Sequence, residues 1–119
     1  MQAKYIPGNS VKIIKEDWGT LQWLVNAKNN TSSTMTVGRV TFKPGMSNPF
    51  HHHPNCNEVL YVVSGTIEHT LDSGRKTKMS PGDVIVIPGG LKHSARNTGD
   101  KEAVVVVSFD NADRITIGE

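Results

Sequence analysis

The chain has 119 residues, with 13 Lys and Arg against 11 Asp and Glu and a net charge of +2 at pH 7. That length fits one domain, residues 1–119, built round one core, and so slight a charge excess gives no sign of a nucleic-acid or membrane partner. Cys56 is the only cysteine, which excludes an intrachain disulfide; the opening "MQAKYIPGNS" lacks the apolar stretch of a signal peptide, and the expected location is the cytoplasm.

In chain order the strand signals are "VKIIK" at 11–15, "TLQWLVNA" at 20–27, "MTVGRVTF" at 35–42, "EVLYVV" at 58–63, "TIEHTL" at 66–71, "DVIVI" at 83–87 and "EAVVVVSF" at 102–109. All are short and rich in Val, Ile and Thr. Turn formers separate them, notably Pro44-Gly45, Ser73-Gly74, Pro81-Gly82 and Pro88-Gly89-Gly90. No segment carries a helical period over ten residues or more, so the expectation is an all-β sandwich or barrel without a helix longer than about two turns. The tail "NADRITIGE" reads as either a frayed end or an added edge strand.

The stretch "NPFHHHPNCNEVLYVVSG" at 48–65 concentrates the chemistry. In an extended chain alternate side chains share a face, so His51 and His53 point together and His52 points away. Glu58 opens the next apolar strand, where a carboxylate turned inward is costly unless something compensates it. A metal ion does so; the competing reading is a solvated His loop followed by an edge carboxylate. Further on, "GDVIVIPGGLKHSARN" at 82–97 runs through an apolar strand into a tight turn and puts His93 at the head of the following strand.

Together these two stretches resemble the signature motifs of the cupin superfamily. Residues 45–65 read G-x5-H-x-H-x4-E-x6-G on Gly45, His51, His53, Glu58 and Gly65; residues 82–97 read G-x5-P-x-G-x2-H-x3-N on Gly82, Pro88, Gly90, His93 and Asn97. The resemblance implies a small double-stranded β-helix, or jelly-roll barrel, with His51, His53, Glu58 and His93 as the ligands of one divalent metal. Three imidazoles and a carboxylate accept manganese, iron, cobalt, nickel, copper or zinc, and an octahedral ion would keep positions open for a ligand.

Other residues have narrower readings. Cys56 is either a reactive thiol facing the site or a small loop residue, the latter favoured. His69 is a pocket-lining proton relay or a hydrogen-bonded structural histidine, the latter favoured. Arg39 either anchors an anionic substrate or snorkels at the barrel rim. Trp18 and Trp23 read as packing or dimer contacts, with ligand stacking as the alternative. Asn97 and the motif glycines are scaffold positions.

Two classes of function follow from the resemblance: a metal-dependent enzyme on a small molecule, of isomerase, lyase, decarboxylase or dioxygenase type, or a non-catalytic module that captures a sugar acid or another chelating ligand. The enzyme is favoured, because cupin regulators carry an attached DNA-binding domain for which this chain has no basic helix. Strands such as "VLYVV" and "AVVVV" are apolar on both faces, and the expected cover for the surplus face is a second copy, a homodimer.

Overall fold

Alternation of burial along three of the four longest strands divides the molecule into an inside and an outside. In the computed structural model, which describes residues 2–118, the elements in chain order are a 3-10 turn at Gly8–Ser10, β1 Ile14–Glu16, β2 Gly19–Val25, β3 Thr36–Phe42, β4 His51–His52, β5 Glu58–Ser64, β6 Ile67–Leu71, β7 Lys76–Met79, β8 Val84–Ile87, β9 His93–Asn97, β10 Ala103–Phe109 and β11 Ile117–Gly118. Among the described residues there is no α-helix, as the turn spacing implies. One sheet runs β1-β2-β3-β10-β5-β8 and the other β11-β4-β9-β6-β7, with every pairing antiparallel. This is the double-stranded β-helix expected from the two motifs.

The period of two fills the space between the sheets. On β10, Ala103, Val105, Val107 and Phe109 face in and are buried, while Val104, Val106 and Ser108 face out. On β5 the inward set is Glu58, Leu60 and Val62. These residues meet Val40, Phe42, Ile67 and Met79 in one core, where full burial of each large apolar side chain contributes about 1.5–3 kcal/mol. Glu58 therefore enters the interior by parity alone, one residue before the apolar run that carries it.

Four strands carry none of the seven strand signals; of these, β9 is placed by the turn before His93, and the other three are not. β7 reads Lys-Thr-Lys-Met, too polar to register as a strand, and is held by pairing to β6. β4 is only two residues long. β11 belongs to the tail, and its pairing with β4 makes the tail an edge strand over Ile117–Gly118; Glu119 lies outside the described residues.

Tight turns bring the strand ends into place. Gly65 has φ +82°, and a Cβ there would lie 2.7 Å from the Ala103 side chain, so both backbone and space demand glycine. Asn97 is fully buried: its amide donates to the carbonyls of Phe42 (2.9 Å) and Lys101 (2.7 Å), and its side-chain oxygen accepts from Gly99 N–H (2.9 Å). It ties the end of β3 to the loop before β10. Replacing it by leucine strands all three backbone groups, and Asn97→Leu is expected to lower unfolding stability by roughly 3 kcal/mol or more; urea unfolding of the two proteins measures the difference.

Candidate metal centre

Three short segments deliver four donors to one point. The chain from Gly45 to Asn48 is stitched to β9: Gly45 N–H donates to Asn97 O (2.9 Å), Asn97 N–H to Met46 O (2.9 Å), and Ala95 N–H to the Asn48 side-chain oxygen (2.9 Å). That fixes the entry to β4, where His51 stands directly across from His93. The 88–91 turn is pinned to the loop after β4 by Gly90 N–H donating to His53 O (2.9 Å) and Gly89 N–H to the Asn57 side chain (2.9 Å). A Cβ on Gly89 would press within 2.9 Å of Cys56 O, so this contact exists only with glycine. Glu58 arrives from the other sheet at the head of β5.

One ligating atom each from His51, His53, Glu58 and His93 lies within 4.8 Å of the others. His53, Glu58 and His93 are buried, and His51 is half-buried at the cavity side. His52 is not in the group, as its opposite parity requires.

The hydrogen bonds fix which nitrogen of each ring carries the proton. Nδ1 of His51 meets Pro49 O (2.6 Å), Nδ1 of His53 meets Ile115 O (3.1 Å) and Nδ1 of His93 meets Leu91 O (2.9 Å). A carbonyl only accepts, so each Nδ1 is an N–H donor and each neutral ring turns a bare Nε2 lone pair inward. Nε2 of His93 and of His53 then face Glu58 Oε1 at 3.1 and 3.3 Å. Lone pairs directed at a carboxylate repel unless a cation stands between them. His53 Nε2 is buried without a hydrogen-bond partner, the orphaned atom such a cation would satisfy. Neutral imidazoles with one carboxylate suit a divalent first-row ion, and the backbone carbonyls behind them are the outer partners that orient metal-binding histidines.

Without a cation, a proton on the rings beside Glu58 takes its place. Burial alone would push Glu58 up, but the imidazoles of His53 and His93 hold its pKa at about 2. Burial also opposes a charge on His93, yet its contact with Glu58 lifts it above the ordinary 6.5. His51 has no such contact with the carboxylate; burial, helped by His93 and His53, pushes it down to about 4.

Above the four donors opens a cavity of about 280 Å³ whose walls include Trp18, Trp23, Phe42, Leu60, Val107 and Phe109. Trp18 packs on Phe42 (ring centroids 5.2 Å apart) and Trp23 on Phe109 (6.4 Å), so both tryptophans are packing residues that also face the cavity. His69 lines it as well. It is buried, its Nδ1 has no partner, and burial above all lowers its pKa to about 4, so the reading as a hydrogen-bonded structural histidine does not hold. Cys56 is a buried core residue whose thiol is pushed up, first by burial, which fits the small loop residue and not a reactive thiolate.

Arg39 is exposed on the outer face of β3, opposite Gln22 and Val106, and does not reach the cavity. The cation that does is Arg114, from the tail. The sequence offered only a weak signal for it, since Arg114 follows an aspartate in a polar stretch. What folds the tail inward is Asn55, whose side chain donates to Asp113 O (2.9 Å) and accepts from Ile115 N–H (3.0 Å).

Residues 38–109, more than half of the chain, match the family model of the cupin domain. This chain belongs to the cupin family. Among curated relatives, oxalate oxidase 1 of Hordeum vulgare is 40% identical over 84 residues, covering 65% of this cupin and 42% of the relative. Germin-like protein 5-1 of Oryza sativa subsp. japonica is 35% identical over 81 residues, covering 65% and 37%. The cupin thus spans about two fifths of the length of these relatives. Among solved structures, a formate complex of Lactobacillus farciminis oxalate decarboxylase superposes with TM-score 0.84 at 27% identity, over 92% of this chain and 34% of that one. Bacillus subtilis oxalate decarboxylase gives 0.83 at 27% identity, over 90% and 29%.

The depressed Glu58 pKa has a definite sign. A carboxyl at about 2 in the folded chain, against 4.5 ordinarily, contributes stability that is full above 4.5 and lost as pH falls towards 2. In chelator-treated protein, the stability gap between wild type and Glu58→Gln should therefore be widest at about pH 6 and should close through pH 4 to about 3. Urea midpoints at these pH values measure it.

Proposed function

We propose that this cupin is a metal-dependent enzyme acting on a small organic acid, of oxidase or decarboxylase type, with His51, His53, Glu58 and His93 holding one divalent first-row ion. The observation that carries the reading is the convergence of one donor atom each from His51, His53, Glu58 and His93 within 4.8 Å, each imidazole oriented by a backbone carbonyl behind it. The reaction type is supported by the relatives and structural neighbours, which are named as oxalate oxidases and oxalate decarboxylases. One neighbour is described by its Mn(II) centres, so manganese(II) is the first ion to test.

When bound, such an ion would polarise a substrate oxygen and stabilise the negative charge that develops on it. The chain supplies the rest. Carbonyls of Pro49, Leu91 and Ile115 hold the imidazole tautomers. Apolar walls exclude bulk water, which strengthens every charge interaction inside. His69, uncharged near neutral pH, offers the ligand a hydrogen bond through a nitrogen that has no other partner.

Elemental analysis of protein purified without chelator should find about one ion per chain. His53→Ala and His93→Ala should weaken metal binding by ~10-fold at the least, because even outer partners of such ligands are worth that much, whereas His52→Ala should leave it unchanged. Carbon dioxide release and oxygen uptake with oxalate and 2-oxo acids then separate decarboxylase from oxidase. Retention of full metal content in both His53→Ala and His93→Ala would sink the assignment.

The homodimer is part of the same proposal. The outer face of β5 and β8 exposes Val59, Tyr61, Val63, Val84 and Val86, and the register sets Val59 beside Val86 and Tyr61 beside Val84. A contiguous apolar face of this kind is ordinarily covered. Light scattering should give a dimer at micromolar concentration for the wild type and a monomer for Val86→Glu; a wild-type monomer would refute it.

A further inference from the structure

Arg114 is a charged side chain stacked on aromatic rings, and no carboxylate of the described residues is in ion-pair contact with it; Glu58 acts on it only from a distance. Its guanidinium carbon lies 4.0 Å from the Trp23 ring centroid and 5.2 Å from that of Phe109, a stacked position that fixes the plane of the group. One terminal nitrogen donates to the Thr116 hydroxyl, and that hydroxyl lies 3.2 Å from His53 Nδ1. The Nε atom is buried and has no hydrogen-bond partner, and no carboxylate of the described residues pairs with the guanidinium. Nε–H and the second terminal nitrogen form the fork that grips a carboxylate with two parallel hydrogen bonds. A buried donor left idle is costly, so the structure holds this one in readiness for an acceptor from outside the chain.

The cavity beside it argues for the rest of the ligand. At ~30 Å³ per water, its 280 Å³ is the volume of roughly nine waters, well beyond the carbon skeleton of oxalate. Polar groups gather at the donor end, and Trp18, Trp23, Phe42 and Phe109 line the remainder. Phe109 stands between the two polar regions: its ring meets His53 edge-on at 4.9 Å and the Arg114 guanidinium at 5.2 Å. The imidazole of His53 and the Thr116 hydroxyl separate Arg114 from the donor cluster, so a single small carboxylate does not fill both places.

We infer that the ligand of this cavity is a carboxylate with an apolar, ring-sized body, gripped by Arg114 at its carboxylate and laid along the Trp23 and Phe109 rings, with its other end towards His51, His53, Glu58 and His93. Arg114 is thus a specificity-determining residue, and bare oxalate is a poor fit. What chemistry befalls such a ligand rests on the metal-dependent function proposed above; its binding to the aromatic chamber does not.

The test uses the full chain freed of metal, with 3-phenylpropanoate, its methyl ester and acetate as probes, read by quenching of Trp fluorescence and by calorimetry. The acid should bind with a dissociation constant ~10-fold or more below that of the ester, since the ester loses the charge-assisted pair, and acetate should not bind measurably. Arg114→Gln should erase the preference for acid over ester, Arg114→Lys should restore part of it, and both should keep the wild-type metal content. Equal binding of acid and ester by the wild type would overturn the inference without any variant having to fold, as would acetate binding as tightly as the aromatic acid. A chain that binds the aromatic acid but never retains metal would overturn the metal-dependent function and leave Arg114 in place.

Discussion

The metal centre answers to one constraint: His53 and His93 turn their Nε2 atoms onto a buried carboxylate, with His51 beside them. Moving a carboxylate out of water costs several kcal/mol even after relaxation. The chain accepts the arrangement because each ring is locked from behind. Pro49, Leu91 and Ile115 take the Nδ1 protons through their carbonyls, so the only way to rotate an Nε2 atom off Glu58 is to break a hydrogen bond in a half-buried loop. In the metal-free protein the contacts of Glu58 with His53 and His93 hold its pKa down against burial, and the Glu58 contact lifts His93.

The two sheets divide this task. β4 and β9 bring His51 and His93 from one sheet, β5 brings Glu58 from the other, and the 88–91 turn couples them by resting on the backbone of His53. The tail completes the site from outside the barrel: Ile115 holds His53, Thr116 touches the same ring, and β11 covers β4. All four donors fall inside the stretch that matches the family model, residues 38–109, whereas Trp18, Trp23 and Arg114 fall outside it. Phe42, Leu60, Val107 and Phe109 of the same cavity lie within the matched stretch, so the chamber is built from both.

The donor set was legible in the sequence because it depends on local rules. Two residues apart on a strand means one face, so His51 and His53 pair while His52 is excluded, and Glu58 is carried inward by the alternation of Leu60 and Val62. The Pro-Gly-Gly turn before His93 sets its position within a few residues. The choice between arginines was not legible, because it depends on a fold-back. Parity puts Arg39 on the face of Met35 and Val37, but nothing local says that this face looks outward. Arg114 is inward only because Asn55, nearly sixty residues earlier, binds both sides of it. The same holds for β7 and β11, whose composition is unremarkable and whose strand character comes from the partner.

The histidines show why residue type alone does not assign a role. His93 and His69 lie on the paired strands β9 and β6, both buried and both at the cavity, so desolvation drives both towards the neutral ring. They part company over a single contact: His93 Nε2 reaches Glu58 Oε1 at 3.1 Å, and His69 touches no carboxylate. One ring is therefore held as a donor to a cation or a proton, and the other, with its pKa at about 4, is neutral well above that pH and has an unpartnered Nδ1. A ligand entering the cavity therefore meets the cluster of electron donors and, close beside it, a neutral imidazole that carries no charge of its own to the site.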